Sequence, residues 1–233
     1  MSDLRPGNNT AAADQTGPAL DLFGQAASDP LPPGAQLHLD FLTTAQESWL
    51  MDRIDVLAWD NSIARRRQWY GERYLIQQGS GGPAPGQAIG GRESLDEETT
   101  SPRAMPDFLK RLAHLMVERD LFAEAPTNAL INEYLPGQGI AAHTDRLENV
   151  GEGVVSLSLL SDVVMDFECL DSGAKRSAWL PARSLLSLRG PARYRWTHGI
   201  AKRLSDPYRG QRVPRRRRVS VTMRENKRRG WPR

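Results

Sequence analysis

The run INEYLPGQGIAAHTDR, residues 131–146, places His143 and Asp145 at alternate positions. Alternate residues of an extended chain point to one side, so both side chains can reach one metal ion. The chain has four histidines: His38, His114, His143 and His198. His198, in RYRWTHGI, is the natural third ligand. Two imidazoles and one carboxylate form a facial set that leaves coordination positions open, as non-haem iron(II) oxygenases require. His38 falls in a first strand and His114 inside an amphipathic helix, where structural roles suit both. H-x-D alone is a weak signal, and a distal histidine in a strand-rich region strengthens it. The segment RVSVTMR adds Arg218 and Arg224 on a final strand. Their even spacing puts both on one face. A buried arginine needs an anionic partner, and its planar fork matches a carboxylate. Two such arginines beside a metal suggest a dicarboxylate co-substrate. Val219, Val221 and Met223 alternate with them, so either face of that strand can be the buried one.

The elements that must position these residues follow from periodicity. AQLHLDFL reads as a first strand. Thr44 with Glu47 makes a capping-box pattern ahead of the amphipathic helix SWLMDRIDVLAW. A second helix follows at PDFLKRLAHLMVER, with Pro106 in its first turn. From residue 128 on, ALINEYL, GVVSLSLL, VVMDFECL, KRSAWLP, SLLSLRG, ARYRWTHGI and RRVSVTMRE read as short strands separated by turn signals. Many short strands at regular spacing suggest a closed or double-sheet β core. The expected architecture is mainly β (α+β), with two supporting N-terminal helices. Residues 1–35 read as a flexible leader. Residues 77–104, dense in Gly and Pro, read as a long surface loop, and residues 227–233 as a basic tail.

The 233 residues are 39% apolar and contain one cysteine, Cys169. That suffices for one packed domain and excludes an internal disulfide, which fits a reducing, cytoplasmic setting. No apolar run approaches the length that spans a bilayer, and no signal peptide is evident, so no membrane partner is expected. The net charge is only +3, but basic residues crowd the stretch after Arg189, including Arg215, Arg216, Arg217 and Arg218. A basic face of this kind suits a phosphate backbone.

With these residues in place, the chain resembles the AlkB family of Fe(II)/2-oxoglutarate-dependent dioxygenases over residues 36–226. The family's N-x-Y-x-x-G appears as Asn132, Tyr134 and Gly137. Its H-x-D appears as His143 and Asp145, its distal histidine as His198, and its paired arginines as Arg218 and Arg224. The resemblance implies a double-stranded β-helix (jelly-roll) core. It implies iron(II) held by His143, Asp145 and His198, and 2-oxoglutarate held by Asn132, Tyr134, Arg218 and Arg224, with O2 consumed. It also implies a monomer.

The segment RRRQWYG resembles the family stretch that reaches a flipped nucleotide. Tyr70 and Tyr74 are candidates to stack on a base, and Arg65, Arg66 and Arg67 to touch phosphate. Some repair members carry an acidic residue two positions after the metal-binding aspartate. That position here is Leu147, followed by Glu148. The expected activity is oxidative demethylation of alkylated bases in DNA or RNA, releasing succinate, CO2 and formaldehyde. The alternatives are a tRNA-modifying hydroxylase, a protein demethylase of the same fold, or a nucleic-acid-binding protein with a vestigial iron site.

Overall fold

The computed structural model describes residues 31–71, 103–145 and 150–226. After the strand β1 (Ala35–His38) comes helix α1 (Thr44–Asp55). Its cap lies one residue earlier than the sequence pattern indicated. Thr43 has extended backbone and forms the reciprocal box with Gln46, not Thr44 with Glu47. The segment TTAQE satisfies the pattern in two registers. Burial selects between them: Glu47 turns inward, where its carboxylate accepts from the Leu160 N–H at 2.7 Å and faces Arg183 at 3.5 Å. In helix α2 (Asp107–Glu118), Pro106 is the capping residue, not part of the first turn.

The remaining strands are β2 (Arg67–Tyr70), β3 (Ala129–Tyr134), β4 (Ile140–His143), β5 (Val150–Leu159), β6 (Val163–Cys169), β7 (Lys175–Leu180), β8 (Leu185–Leu188), β9 (Trp196–Ile200), β10 (Ser205–Tyr208), β11 (Gln211–Pro214) and β12 (Arg218–Asn226). A short helix α3 (Gly190–Tyr194) precedes β9. ARYRWTHGI is therefore not one strand: Pro191 sits in the first turn of α3, and extended backbone starts only at Trp196. The hairpin β10–β11 has no counterpart in the sequence reading.

Six antiparallel strands form one sheet in the order β1-β8-β5-β12-β3-β2, and four form a second in the order β4-β9-β6-β7. The larger sheet is buried on both faces. Ile131, Val155, Leu157, Leu185, Val219, Val221 and Met223 pack with α1 and α2 on one side. Val154, Leu186 and Leu188 meet Val163, Met165, Phe167 and Ile200 of the smaller sheet on the other. This is the double-stranded β-helix that the resemblance implied. Among the described residues, no helix is long and apolar enough to cross a membrane.

Residues 77–102 of the expected loop, Tyr74, Leu147, Glu148, the basic tail and residues 1–30 of the expected leader lie outside the described residues. Residues 31–35 are held to the fold. The carbonyls of Leu31, Pro33 and Gly34 accept from Arg176 Nη1 and from the Ala192 and Arg189 N–H groups, at 2.6, 2.8 and 2.9 Å.

The base of the β10–β11 hairpin is pinned by Asp206, only 1% exposed. Its carboxylate accepts from Arg215 through two nitrogens, at 2.7 and 2.8 Å, and from Arg203 at 2.6 Å. Arg215 Nη1 also donates to the Gln138 and Ala201 carbonyls, which ties the hairpin to the start of β4. Removing one partner of a buried ion pair strands the other charge in a dry site. Asp206→Ala is expected to lower unfolding free energy by about 3–5 kcal/mol, measured by urea denaturation. A loss of about 1 kcal/mol or less means the pair behaves as a surface salt bridge.

Candidate active site

The smaller sheet sets His143 directly opposite His198, because these residues are paired neighbours in the β4–β9 ladder. Their ring centroids are 4.4 Å apart. The close approach needs Gly199: a Cβ there would lie 3.0 Å from the Ala142 N and Cα. Asp145 stands just past the end of β4. Its Oδ2 is 3.4 Å from His198 Nε2, and its Oδ1 accepts from Arg224 Nη2 at 2.8 Å. One ligand atom from each of the three residues falls within 4.8 Å of the others. His143 Nδ1 lies 2.9 Å from the Ala141 carbonyl. A carbonyl only accepts, so Nδ1 carries the proton and Nε2 is free to ligate.

The charges at the site suit a cation. Burial alone would raise the Asp145 carboxyl. The Arg224 guanidinium, then His198 and His143, outweigh it and hold the group well below the usual carboxylate range. Burial pulls the His198 imidazole down, His143 adds to the effect, and Asp145 only partly opposes it. The result is a pKa of about 4. At neutral pH the pocket therefore presents one carboxylate and a neutral His198 imidazole.

Beside this trio, β12 sends Arg218 and Arg224 into the cavity between the sheets. Both are buried, and Asn132, Tyr134 and Ser220 line the same cavity. The alternation left open by the sequence is resolved by the helices: Val219, Val221 and Met223 meet α1 and α2, so the arginine face turns inward. Arg218 Nη2 donates to Ser158 Oγ at 2.8 Å, while its Nε and Nη1 have no hydrogen-bond partner among the described residues. Burial brings its pKa down to about 10, against the pull of Tyr134, so it remains a cation at neutral pH. A buried cation with unengaged donors fits a carboxylate ligand, and the His–Asp–His trio fits iron(II).

Other sequence expectations come out differently. Tyr70 is not placed to stack on a base. It is 4% exposed, its hydroxyl lies 3.1 Å from Gln68 Oε1, and it packs in the core under α1. Strand alternation in β2 turns Gln68 and Tyr70 inward. Several members of the arginine clusters are taken up in ion pairs, while Arg195, Lys202, Arg209, Arg212 and Arg216 of the basic stretch are exposed. Arg66 and Arg217 both grip Glu133, Arg217 also reaches Asp55, and Arg67 pairs with Asp60 at 2.9 Å. A groove of about 720 Å³ beside Arg66, Glu133 and Arg217 is thus already charge-paired. Of the fourfold run, Arg215 and Arg218 are buried, Arg217 is half-buried and Arg216 is exposed. Arg65 does reach the cavity, where its Nε donates to Asn132 Oδ1 at 3.3 Å. His38 contacts Ser187 at 3.5 Å, and His114 is exposed on α2; neither joins the trio. Two contributors were not anticipated. Asn128 exchanges hydrogen bonds with the Arg224 main chain at 3.0 and 3.2 Å, and Arg193 donates to the Asp145 carbonyl. No local pattern marks either one.

A β-helix holding a two-histidine, one-carboxylate trio beside buried arginines defines an oxygenase of the iron and 2-oxoglutarate class. Residues 34–224 match the family described as the 2OG-Fe(II) oxygenase superfamily. The chain belongs to that superfamily and, within it, to the AlkB family. It is 32% identical over 189 residues to a Xenopus tropicalis protein named tRNA (carboxymethyluridine(34)-5-O)-methyltransferase alkbh8. The match covers 78% of this chain and 27% of that protein. It is 30% identical over 192 residues to the uncharacterized protein L905 of Acanthamoeba polyphaga mimivirus, covering 82% of this chain and 84% of the relative. The solved structure of OsALKBH1 superposes with a TM-score of 0.56 at 16% identity, over 83% of this chain and 97% of that one. That likeness speaks for the fold alone.

The low proton affinity of His198 makes stability depend on pH. A folded-state pKa of about 4, against about 6.5 when unfolded, gives stability that is full above pH 6.5 and lost as pH falls towards 4. The metal-free protein is expected to lose about 3 kcal/mol from this group across that window. His198→Asn should remove that part of the slope. Thermal unfolding of chelator-treated protein at stepped pH checks it, and equal slopes for the two proteins refute it.

Proposed function

We propose that this chain is an iron(II)/2-oxoglutarate-dependent dioxygenase that oxidises a substituent on a nucleobase. The primary reaction is demethylation of N-alkylated bases in DNA or RNA. The observation that carries the reading is the convergence of His143, Asp145, His198 and the incompletely bonded Arg218 on one cavity. The tRNA named in the frog relative supports a nucleic-acid substrate. It also favours a second reading, hydroxylation of a modified tRNA uridine.

In this reading His143, Asp145 and His198 would hold iron(II). Iron and 2-oxoglutarate, when bound, supply an oxidant made from O2 as the co-substrate loses CO2 and becomes succinate. Arg218 takes the distal carboxylate of 2-oxoglutarate in its dry pocket, with the Tyr134 ring 5.4 Å away and Asn132 alongside. Arg224 keeps the Asp145 carboxylate ionised and oriented. Leu130, Met165 and Leu186, which also line the cavity, keep water from the reacting atoms. A hydroxylated N-methyl group then collapses, releasing formaldehyde and the repaired base.

The test supplies purified protein with Fe(II), 2-oxoglutarate and ascorbate. The substrates are oligonucleotides bearing 1-methyladenine or 3-methylcytosine, as DNA and as RNA, and isolated tRNA. Succinate with matching formaldehyde, lost in His143→Ala, establishes the demethylase. Succinate without formaldehyde, with an added oxygen on tRNA, establishes the second reading. Substrate-independent succinate alone overturns both nucleic-acid readings. Arg218→Met should raise the KM for 2-oxoglutarate by about 30-fold or more, since truncating a buried charge pair costs about 2 kcal/mol at least. An unchanged KM would mean that Arg218 does not hold the co-substrate.

A further inference from the structure

Arg193, on α3, is 1% exposed and among the largest fully buried side chains. No carboxylate pairs with it among the described residues. Its Nε and Nη2 each lie 3.3 Å from the Asp145 carbonyl oxygen, and its Nη1 donates to the Gly151 carbonyl. The Tyr194 ring stacks 4.8 Å from its guanidinium carbon. A guanidinium taken out of water, whose hydrogen bonds among the described residues go to carbonyls and not to a carboxylate, costs stability. A leucine or methionine would fill the same space without that cost, so the arrangement calls for an explanation beyond packing.

The location supplies one. Asp145 lies beyond the last paired residue of β4, so no ladder bond fixes its main chain. Its side chain is held by Arg224. Its main chain is held by Arg193. The second acceptor, Gly151, is on β5, so a single guanidinium ties the Asp145 main chain to the larger sheet. One residue after α3, β9 begins and carries His198. Arg193 therefore joins the carboxylate ligand to the stretch of chain that presents the distal histidine.

We propose that Arg193 is a positioning residue of the metal centre. It clamps the Asp145 main chain so that the carboxylate stands in register with His143 and His198 before a metal arrives. This rests on the reading of those three residues as ligands. The physical gain is preorganisation: a ligand already in place need not be ordered when the ion binds. Groups that orient metal ligands typically govern affinity by about 10–100-fold.

The experiment is calorimetric titration of Mn(II) into wild type, Arg193→Lys and Arg193→Gln, each checked for a cooperative unfolding transition. Mn(II) affinity is expected to fall by about 10–100-fold in Arg193→Gln. The loss should be smaller in Arg193→Lys, whose ammonium still donates to a carbonyl. A purely structural role lowers the melting temperature of both variants but leaves Mn(II) affinity within about twofold of wild type, and that result overturns the proposal while the metal centre stands. Failure of the wild type to bind Mn(II) overturns the centre and the proposal together. If neither variant folds, the Arg193 Nε–H resonance of metal-free wild type decides. Slow exchange with water before any metal is added supports the preformed clamp. Fast exchange that slows only on adding Zn(II) overturns it.

Discussion

Burial of β12 on both faces is the constraint around which the molecule is arranged. It lies between β5 and β3, with Val221 opposite Leu157 on one side and Ile131 on the other. Its odd-numbered residues close the core beneath the helices, and its even-numbered residues line the cavity. A strand of this kind cannot place a charge on one face without a dry apolar layer on the other. Burial in turn gives Arg218 and Arg224 their electrostatic weight, because a guanidinium in a low-dielectric cavity interacts far more strongly than one in water.

One target of that weight is already in place. Arg224 is already engaged with Asp145, so the carboxylate is kept ionised and aimed between the histidines. Arg218 lies further along the same face, with two nitrogens that have no hydrogen-bond partner among the described residues. One strand thus holds the Asp145 side chain and lines the cavity beside it. The β4–β9 ladder, narrowed at Gly199, supplies the two histidines as direct neighbours. The centre is assembled from both sheets, and its geometry depends on their being packed against each other.

The remaining arginines show how charge is distributed once the chain folds. Arg217 spans Asp55 on α1 and Glu133 on β3, and Arg66 meets the same glutamate. Arg215 closes on Asp206 at the base of the hairpin. These pairs lock α1 and the hairpin to the β core. These three arginines therefore serve as internal scaffolding, and Arg65 is the member of its cluster that lines the cavity.

The amino-acid pattern carries what is local and periodic. The H-x-D pair, the even spacing of Arg218 and Arg224, most of the strands and both main helices follow from side-chain alternation and composition, which need no knowledge of neighbours. What it could not determine depends on partners distant along the chain. The Thr43 or Thr44 register turned on where Glu47 is buried. The inward turn of Tyr70 followed from which face of β2 meets α1. The pairing of Arg66 and Arg217 with Glu133, and the hold of Asn128 and Arg193 on the main chain around the site, arise only when separate strands are brought side by side. A buried charge takes whichever partner the fold brings within reach, so which arginines line the cavity and which hold the protein together follows from how the strands and helices pack.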